Sequence, residues 1–357
     1  MRLCKRCIYP DTKPDLFIDE EGICSACRNY EARASVDYEA RLGELKAILE
    51  RYRSKDGSNY DCVVPSSGGK DSTFQALKIR ELGYNPLIVT ATTQELTAIG
   101  RRNIENLKEQ GFDCIEVTVN PVVRRKIDRF TLETVGDISW SEHLLIFTVP
   151  VRVACQMGIP LLVWGECPQN EYGGPANSTE AKILDRRWLE EFGGLLGLRV
   201  SDLTEVLGFE AKQLIQYSYP SDEELRRVGV TGIFLGYFIR WDGSTNALYA
   251  QAHGLTCYGK TVEGSCVNYE NLDNVLTICH DRGKWDKYGF GRATDLVSMA
   301  IRRGAISRED GLRIAKENDG AFPDIYVGES VSAALAKLDL TREQFLTISR
   351  SFGTKES

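Results

Sequence analysis

The sequence predicts an α/β fold: a parallel sheet with helices on both faces, led by a small four-cysteine lobe and closed by a helical C-terminal region. Three observations carry this expectation. From residue 60 to residue 174, short apolar runs alternate with segments whose apolar residues recur every three or four positions, which is the pattern of repeated β–α units. One of these runs, Tyr60-Asp61-Cys62-Val63-Val64, feeds a glycine-rich turn, Pro65-Ser66-Ser67-Gly68-Gly69-Lys70-Asp71-Ser72-Thr73, that opens a helix. Ahead of both stand Cys4-x-x-Cys7 and Cys24-x-x-Cys27.

In chain order, the two Cys-x-x-Cys knuckles come first. Each aims two thiolates at one point, and together they complete a tetrahedral four-sulfur site that suits a structural Zn²⁺. A redox or iron–sulfur site is the alternative, since four thiolates serve those as well. The residues between the knuckles are too few to bury a core, so a metal would hold the lobe together. A helix follows over 31–53, with Leu42, Leu45, Ile48 and Leu49 on one face, and a turn cluster over 54–59 marks a boundary. Strands are predicted over 60–64, 86–90, 114–119 and 159–164, with helices over 74–83, 99–110 and 144–157. The expected organisation is a lobe over 1–35, a helix and linker over 36–59, the β–α domain over 60–174, a glycine- and aromatic-rich region over 175–290, and helices over 291–357.

Runs of nearly continuous apolar strands mean a sheet buried on both faces, and ligands of such sheets sit beyond the carboxyl ends of the strands. Three loops leave those ends. The first is built to hold an anion: backbone N–H groups converge at a helix N-terminus, Gly68 and Gly69 allow close approach, and Lys70 adds a full charge. The second, over 91–95, begins at Ala91 after Thr90 ends its strand, and is expected beside an adenine or ribose. The third begins at Gly165 and Glu166, where Glu166 reads as a Mg²⁺ ligand or proton acceptor, or as an ordinary cap.

Further on, Tyr172 and Trp241 offer aromatic faces for a sugar or base, although core packing is the commoner use of an aromatic. Lys287 and Arg292 border a glycine-rich turn that reads as a second anion site or as a satisfied surface turn. Gly254-Leu255-Thr256-Cys257-Tyr258-Gly259-Lys260-Thr261 matches the Walker pattern letter for letter, but the required strand before it and helix after it are missing.

Composition excludes several classes. Hydrophobic residues make up 42% and charged residues 27% of 357, as in a soluble chain with a real core. No apolar run approaches the ~20 residues of a membrane span, and residues 1–7 lack the apolar segment of a signal peptide, so a cytoplasmic protein is expected. A net charge of −7 argues against a long nucleic-acid partner. Of eleven cysteines, the seven outside the knuckles show no paired spacing.

The order Ser67-Gly68-Gly69-Lys70-Asp71-Ser72 resembles the PP-loop of ATP pyrophosphatases, whose fold is adenine nucleotide alpha hydrolase-like. With Cys4, Cys7, Cys24 and Cys27, Trp164-Gly165-Glu166, Tyr172-Gly173-Gly174, Gly236-Tyr237, Trp241-Asp242 and Lys287-Tyr288-Gly289-Phe290-Gly291-Arg292, the chain is similar over nearly its whole length to the N-acetyl sugar amidotransferase family. That family is similar to enzymes that make acetamidino sugars for bacterial surface polysaccharides such as lipopolysaccharide O-antigen. It departs from the family's Gly-Glu-Asn-Pro pattern at Cys167.

The resemblance implies ATP bound by Ser67, Gly68, Gly69, Lys70, Asp71, Ser72, Thr90, Ala91 and Gly165. It implies Mg²⁺, with Asp71 and Glu166 as candidate partners, and catalysis by Lys70, Asp71 and Glu166. It also implies a nucleotide-activated N-acetyl sugar near Tyr172, Trp241, Lys287 and Arg292. A glutaminase needs a cysteine nucleophile with a histidine base. With only His143, His253 and His280 and no recognisable nucleophile turn, ammonia is expected from a separate glutaminase subunit, with a cyclase-like partner. Two alternatives are a PP-loop enzyme that thiolates tRNA, with sulfur carried by Cys167 or by Cys257 and Cys266, and a zinc-dependent scaffold that binds nucleotide without turnover.

Overall fold

The computed structural model describes residues 1–166, 183–184 and 195–353. The lobe opens the chain and passes into α1 (Ser25–Ala32), a 3₁₀ turn (Arg33–Ser35) and α2 (Tyr38–Tyr52). The single helix predicted over 31–53 is therefore broken. Val36 is extended, and the Asp37 carboxylate accepts from the N–H groups of Glu39 and Ala40 at 3.1 and 2.9 Å. An aspartate that caps backbone donors starts a helix afresh rather than continuing one.

The α/β unit runs β1 (Cys62–Pro65), α3 (Lys70–Glu81), β2 (Pro86–Ala91), α4 (Ala98–Glu109), β3 (Cys114–Val117), α5 (Pro121–Val135), α6 (Trp140–Met157) and β4 (Leu161–Trp164). It continues with β5 (Ile183–Leu184), α7 (Val200–Leu207), α8 (Asp222–Val228) and β6 (Thr231–Phe234). The strand order is β3-β2-β1-β4-β6-β5, with the first five parallel and β5 antiparallel at the edge. Successive strand residues point to opposite faces, and both faces are filled. Val63, Leu87, Val89, Leu162 and Phe234 join Ile127, Trp140, Leu144 and Val149 of α5 and α6. Val64, Ile88, Leu161, Val163 and Ile233 join Leu45, Leu49, Phe74, Leu77 and Ile79 of α2 and α3. This two-sided burial is why the strands read as apolar runs.

The remainder is helical: α9 (Leu235–Phe238), α10 (Gly243–Ala252), α11 (Thr277–Tyr288), α12 (Arg292–Arg302), α13 (Arg308–Asn318), a short hairpin of β7 (Ile325–Tyr326) and β8 (Glu329–Ser330), α14 (Val331–Ala336) and α15 (Arg342–Ser351). A third core unites Leu132 and Ile138 with Leu272, Ile278, Tyr326, Leu335 and Phe345. The four-cysteine lobe seats on this C-terminal part. Ile8 packs with Val297 and Ala315, Tyr9 stands edge-on to Phe290 at 6.3 Å, and Arg308 donates to the Cys7 and Cys4 carbonyls at 3.1 and 3.2 Å.

Candidate active site

The sheet reverses direction at β1: β2 and β3 follow on one side, β4 and β6 on the other. At such a switch point the loops leaving adjacent strands part and open a crevice. A cleft of about 480 Å³ lies there, lined by the turn after β1, the end of β2 and the end of β4.

The turn is shaped by local chemistry. Gly68 has φ +81°, and a Cβ there would stand 2.8 Å from the Ile104 backbone nitrogen, so the conformation and the close approach of α4 both demand glycine. Ser66 Oγ accepts from the Gly68 N–H at 3.0 Å. Gly69 is the N-cap of α3, and among the described residues no side chain caps that terminus; its first residues line the cleft, which leaves the positive end of the helix for an anion.

Lys70 is buried, with its ammonium between Asp71 Oδ2, at 2.7 Å, and Glu270. Burial alone would lower its pKa, but the two carboxylates outweigh that and hold it above the ordinary lysine range. The other Asp71 oxygen accepts from Asn246 Nδ2 at 2.8 Å. Asp71 thus braces the lysine and ties α3 to α10.

Residues 263–357 match the family model described as LPS biosynthesis protein WbpG-like, C-terminal domain. No curated protein matches the chain. The WbpG-like segment is a wall of the cleft, not an appendage, because it supplies Tyr269, Glu270, Asp273, Thr277, His280 and Arg292 to the lining. Its entry is stitched to the loop after β2: Val275 N–H donates to Glu95 O at 2.9 Å and Thr97 N–H to Asp273 O at 3.0 Å. A Cβ on Gly100 would meet Asp273 Cα at 2.6 Å, so a glycine in α4 is what lets this segment close down. Burial, aided by the Glu142 charge and opposed by a hydrogen bond from Ser67, lifts the Asp273 carboxyl to about 6.

Ser67, Gly68, Gly69, Lys70, Asp71, Ser72, Thr90, Ala91, Gly165, Glu166 and Arg292 all line the cleft. Gly165 has no room for a side chain, with Gln75 Oε1 2.6 Å from its would-be Cβ. Trp241 lies buried, edge-on to Phe74 at 5.5 Å. It borders a second chamber of about 210 Å³ that shares Lys70, Asp71, Glu166, Tyr269 and Glu270 with the cleft. Lys287 is not brought to the cleft; its Nζ donates to the Val135 carbonyl at 2.7 Å. Tyr172 and Cys167 lie outside the described residues.

The turn before α12, read as a second anion site, is filled from within. Asp319 accepts from Thr294 N–H at 3.3 Å and from its hydroxyl at 2.6 Å. The Walker-like stretch follows α10 rather than a strand, and Lys260 is exposed and paired with Glu263 at 2.9 Å.

Sequence reasoning missed Glu270, Asp273 and Asn246, and it counted His143 and His280 without placing them. Nothing in the local pattern around Glu270 or Asp273 marks a site; their proximity to the turn is a product of the chain's return over the cleft.

The knuckles converge as expected. Cys4 and Cys27 sulfurs are 3.9 Å apart, Cys7 and Cys24 sulfurs 3.6 Å, and all four are fully buried. Four sulfurs bonded at ~2.3 Å to one tetrahedral zinc stand roughly 3.8 Å apart. Cys24 N–H points to Cys4 Sγ at 3.3 Å and Tyr9 N–H to Cys7 Sγ at 3.5 Å, support that thiolates need. The cluster could hold a zinc ion, as a closed and therefore structural site.

Proposed function

We propose that this chain is an ATP-dependent amidotransferase. It would convert the acetamido group of a nucleotide-activated sugar to an acetamidino group in surface-polysaccharide synthesis, releasing AMP and pyrophosphate. The observation that carries the reading is a lysine-bearing, uncapped glycine turn at the switch point of a parallel sheet, walled by a segment similar to LPS biosynthesis proteins.

An acetamide carbon resists ammonia because its nitrogen donates into the carbonyl and oxide cannot leave. Attack of the amide oxygen on the α-phosphorus of ATP expels pyrophosphate and makes that oxygen part of a good leaving group. Ammonia then adds at carbon, and AMP departs with the oxygen. Lys70 and the N-terminal N–H groups of α3 would stabilise the charge growing on pyrophosphate. Asp71 and Glu270 would hold the Lys70 ammonium so that little rearrangement is needed as that charge forms.

The lining carries Asp71, Glu142, Glu166, Glu270 and Asp273 against Lys70 and Arg292. So acidic a wall suits a triphosphate only with its charge partly neutralised, which fits Mg²⁺. Glu166, at the carboxyl end of β4, would help hold that ion. Mg²⁺ would supply charge neutralisation on the phosphates. Ammonia would come from a separate glutaminase with a cyclase-like subunit, and the smaller chamber beside Lys70 would give it room to wait.

The test is incubation with ATP, Mg²⁺, ammonium and a panel of nucleotide-linked N-acetyl sugars. Oxygen replaced by NH makes a product one mass unit lighter, accompanied by AMP. Formation of ADP, or no turnover with any sugar, would sink the assignment.

A further inference from the structure

His143 and His280 are not used in the scheme above, and neither is Asp137. They come from three elements: Asp137 from the link between α5 and α6, His143 from the first turn of α6, and His280 from the first turn of α11. His280 Nδ1 stands 3.1 Å from Asp137 Oδ1, and His143 Nδ1 stands 3.4 Å from Asp137 Oδ2. One ligand atom from each of the three lies within 4.8 Å of the others, and the two rings meet edge to face at 5.0 Å.

We propose that Asp137, His143 and His280 form a second metal site, holding a divalent transition ion such as zinc or iron(II) at the cleft wall. The spacing fits: two donor atoms bonded at ~2.1 Å to one tetrahedral or octahedral ion stand roughly 3.0–3.4 Å apart. Hydrogen bonding alone leaves one ring unexplained. His143 Nδ1 is buried and makes no hydrogen bond among the described residues, even to Asp137 Oδ2 at 3.4 Å. A buried ring nitrogen without a hydrogen bond, grouped with a carboxylate and a second imidazole, can serve as a ligand.

The carboxylate is buried and fixed. Ser139 N–H donates to Asp137 Oδ1 at 2.8 Å, and Thr131 Oγ1 donates to the Asp137 carbonyl at 2.8 Å. Two imidazoles and one carboxylate select a borderline ion over Mg²⁺, which prefers all-oxygen ligands. Both histidines also line the cleft, so the ion would have protein on one side and open positions on the other, unlike the closed four-cysteine site. The third histidine, His253, has a different use: its Nδ1 lies 2.8 Å from the Tyr249 carbonyl.

The readout is metal count and ligand type, so it stands apart from the proposed reaction. Full-length protein stripped with chelator and reloaded with Co²⁺ is expected to bind two equivalents. One shows intense thiolate charge-transfer bands, and the other the weaker visible bands of a nitrogen–oxygen site. His143→Ala/His280→Ala should bind one equivalent and keep only the thiolate spectrum. A wild-type chain that takes up a single equivalent with a purely thiolate spectrum overturns the proposal, whether or not the double variant folds. Two equivalents retained by a folded double variant overturn it as well.

Discussion

At Gly68 the backbone turns left-handed with α4 pressed against it, 2.8 Å from where a side chain would begin. Gly68→Ala is therefore expected to destabilise by more than about 1 kcal/mol and to push the turn off α4. Denaturant melts and nucleotide titration would both register it, and an unperturbed variant would mean the turn is not built this way. Lys70 poses a different question. Its removal leaves the Asp71 and Glu270 carboxylates without their shared ammonium at the turn after β1. Lys70→Ala is expected to slow AMP formation by about 10²–10³-fold, with the loss mainly in kcat. A fully active variant would remove Lys70 from the chemistry.

Helices α5 and α6 carry a buried polar contact whose cost depends on pH. Asp128 accepts from the Ser141 hydroxyl and lies 3.7 Å from Arg124 Nε. Burial raises its carboxyl to about 7, despite the opposing pull of Arg124 and Ser141. A folded-state pKa above the unfolded one means that the folded chain holds the proton more tightly. The stability from this group is then complete below about pH 4 and is lost as pH rises through 7. The slope is at most about 1.4 kcal/mol per pH unit. Asp128→Asn should lack this dependence, so urea melts at pH 5 and pH 8 should show the variant gaining on the wild type at the higher pH. Parallel profiles would contradict the buried carboxyl.

Elements also show where reading a sequence is dependable. Strands β1, β2 and β4 announce themselves because burial on both faces makes them apolar nearly throughout, whereas half-buried β3 shows by its Ile115 and Val117 alternating with Glu116. Strand β6 escaped notice: Thr231-Gly232-Ile233-Phe234 is short, holds a glycine, and runs straight into α9. Its strand character comes from pairing with β4, not from its own composition.

Across the molecule, the lobe and the C-terminal helices meet far from each other in sequence. Ile8 fills a gap among α12 and α13, and Arg308 reaches back to the carbonyls of two cysteines. If the cluster holds zinc, metal removal or Cys24→Ser is expected to unfold the lobe, because so small a unit would draw its folding free energy from the metal, on the order of 10 kcal/mol. The uncovered face of α12 and α13 should loosen with it. Limited proteolysis would show new cleavage within residues 1–32 first and near Val297 second, with the sheet intact. A lobe that resists protease without metal would rule out a metal-held core.

The sequence by itself determined what is local: the knuckles, the glycine turn, the helix that follows it and most of the sheet, because caps, turns and hydrophobic period act over a few residues. Only the tertiary structure decided what shares the cleft. Glu270 beside Lys70, Asp273 beside Ser67, two histidines on one aspartate and the withdrawal of Lys287 to a carbonyl all follow from how the C-terminal segment folds back over the sheet. That return path is set by the packing of a whole core, which no short stretch of residues encodes.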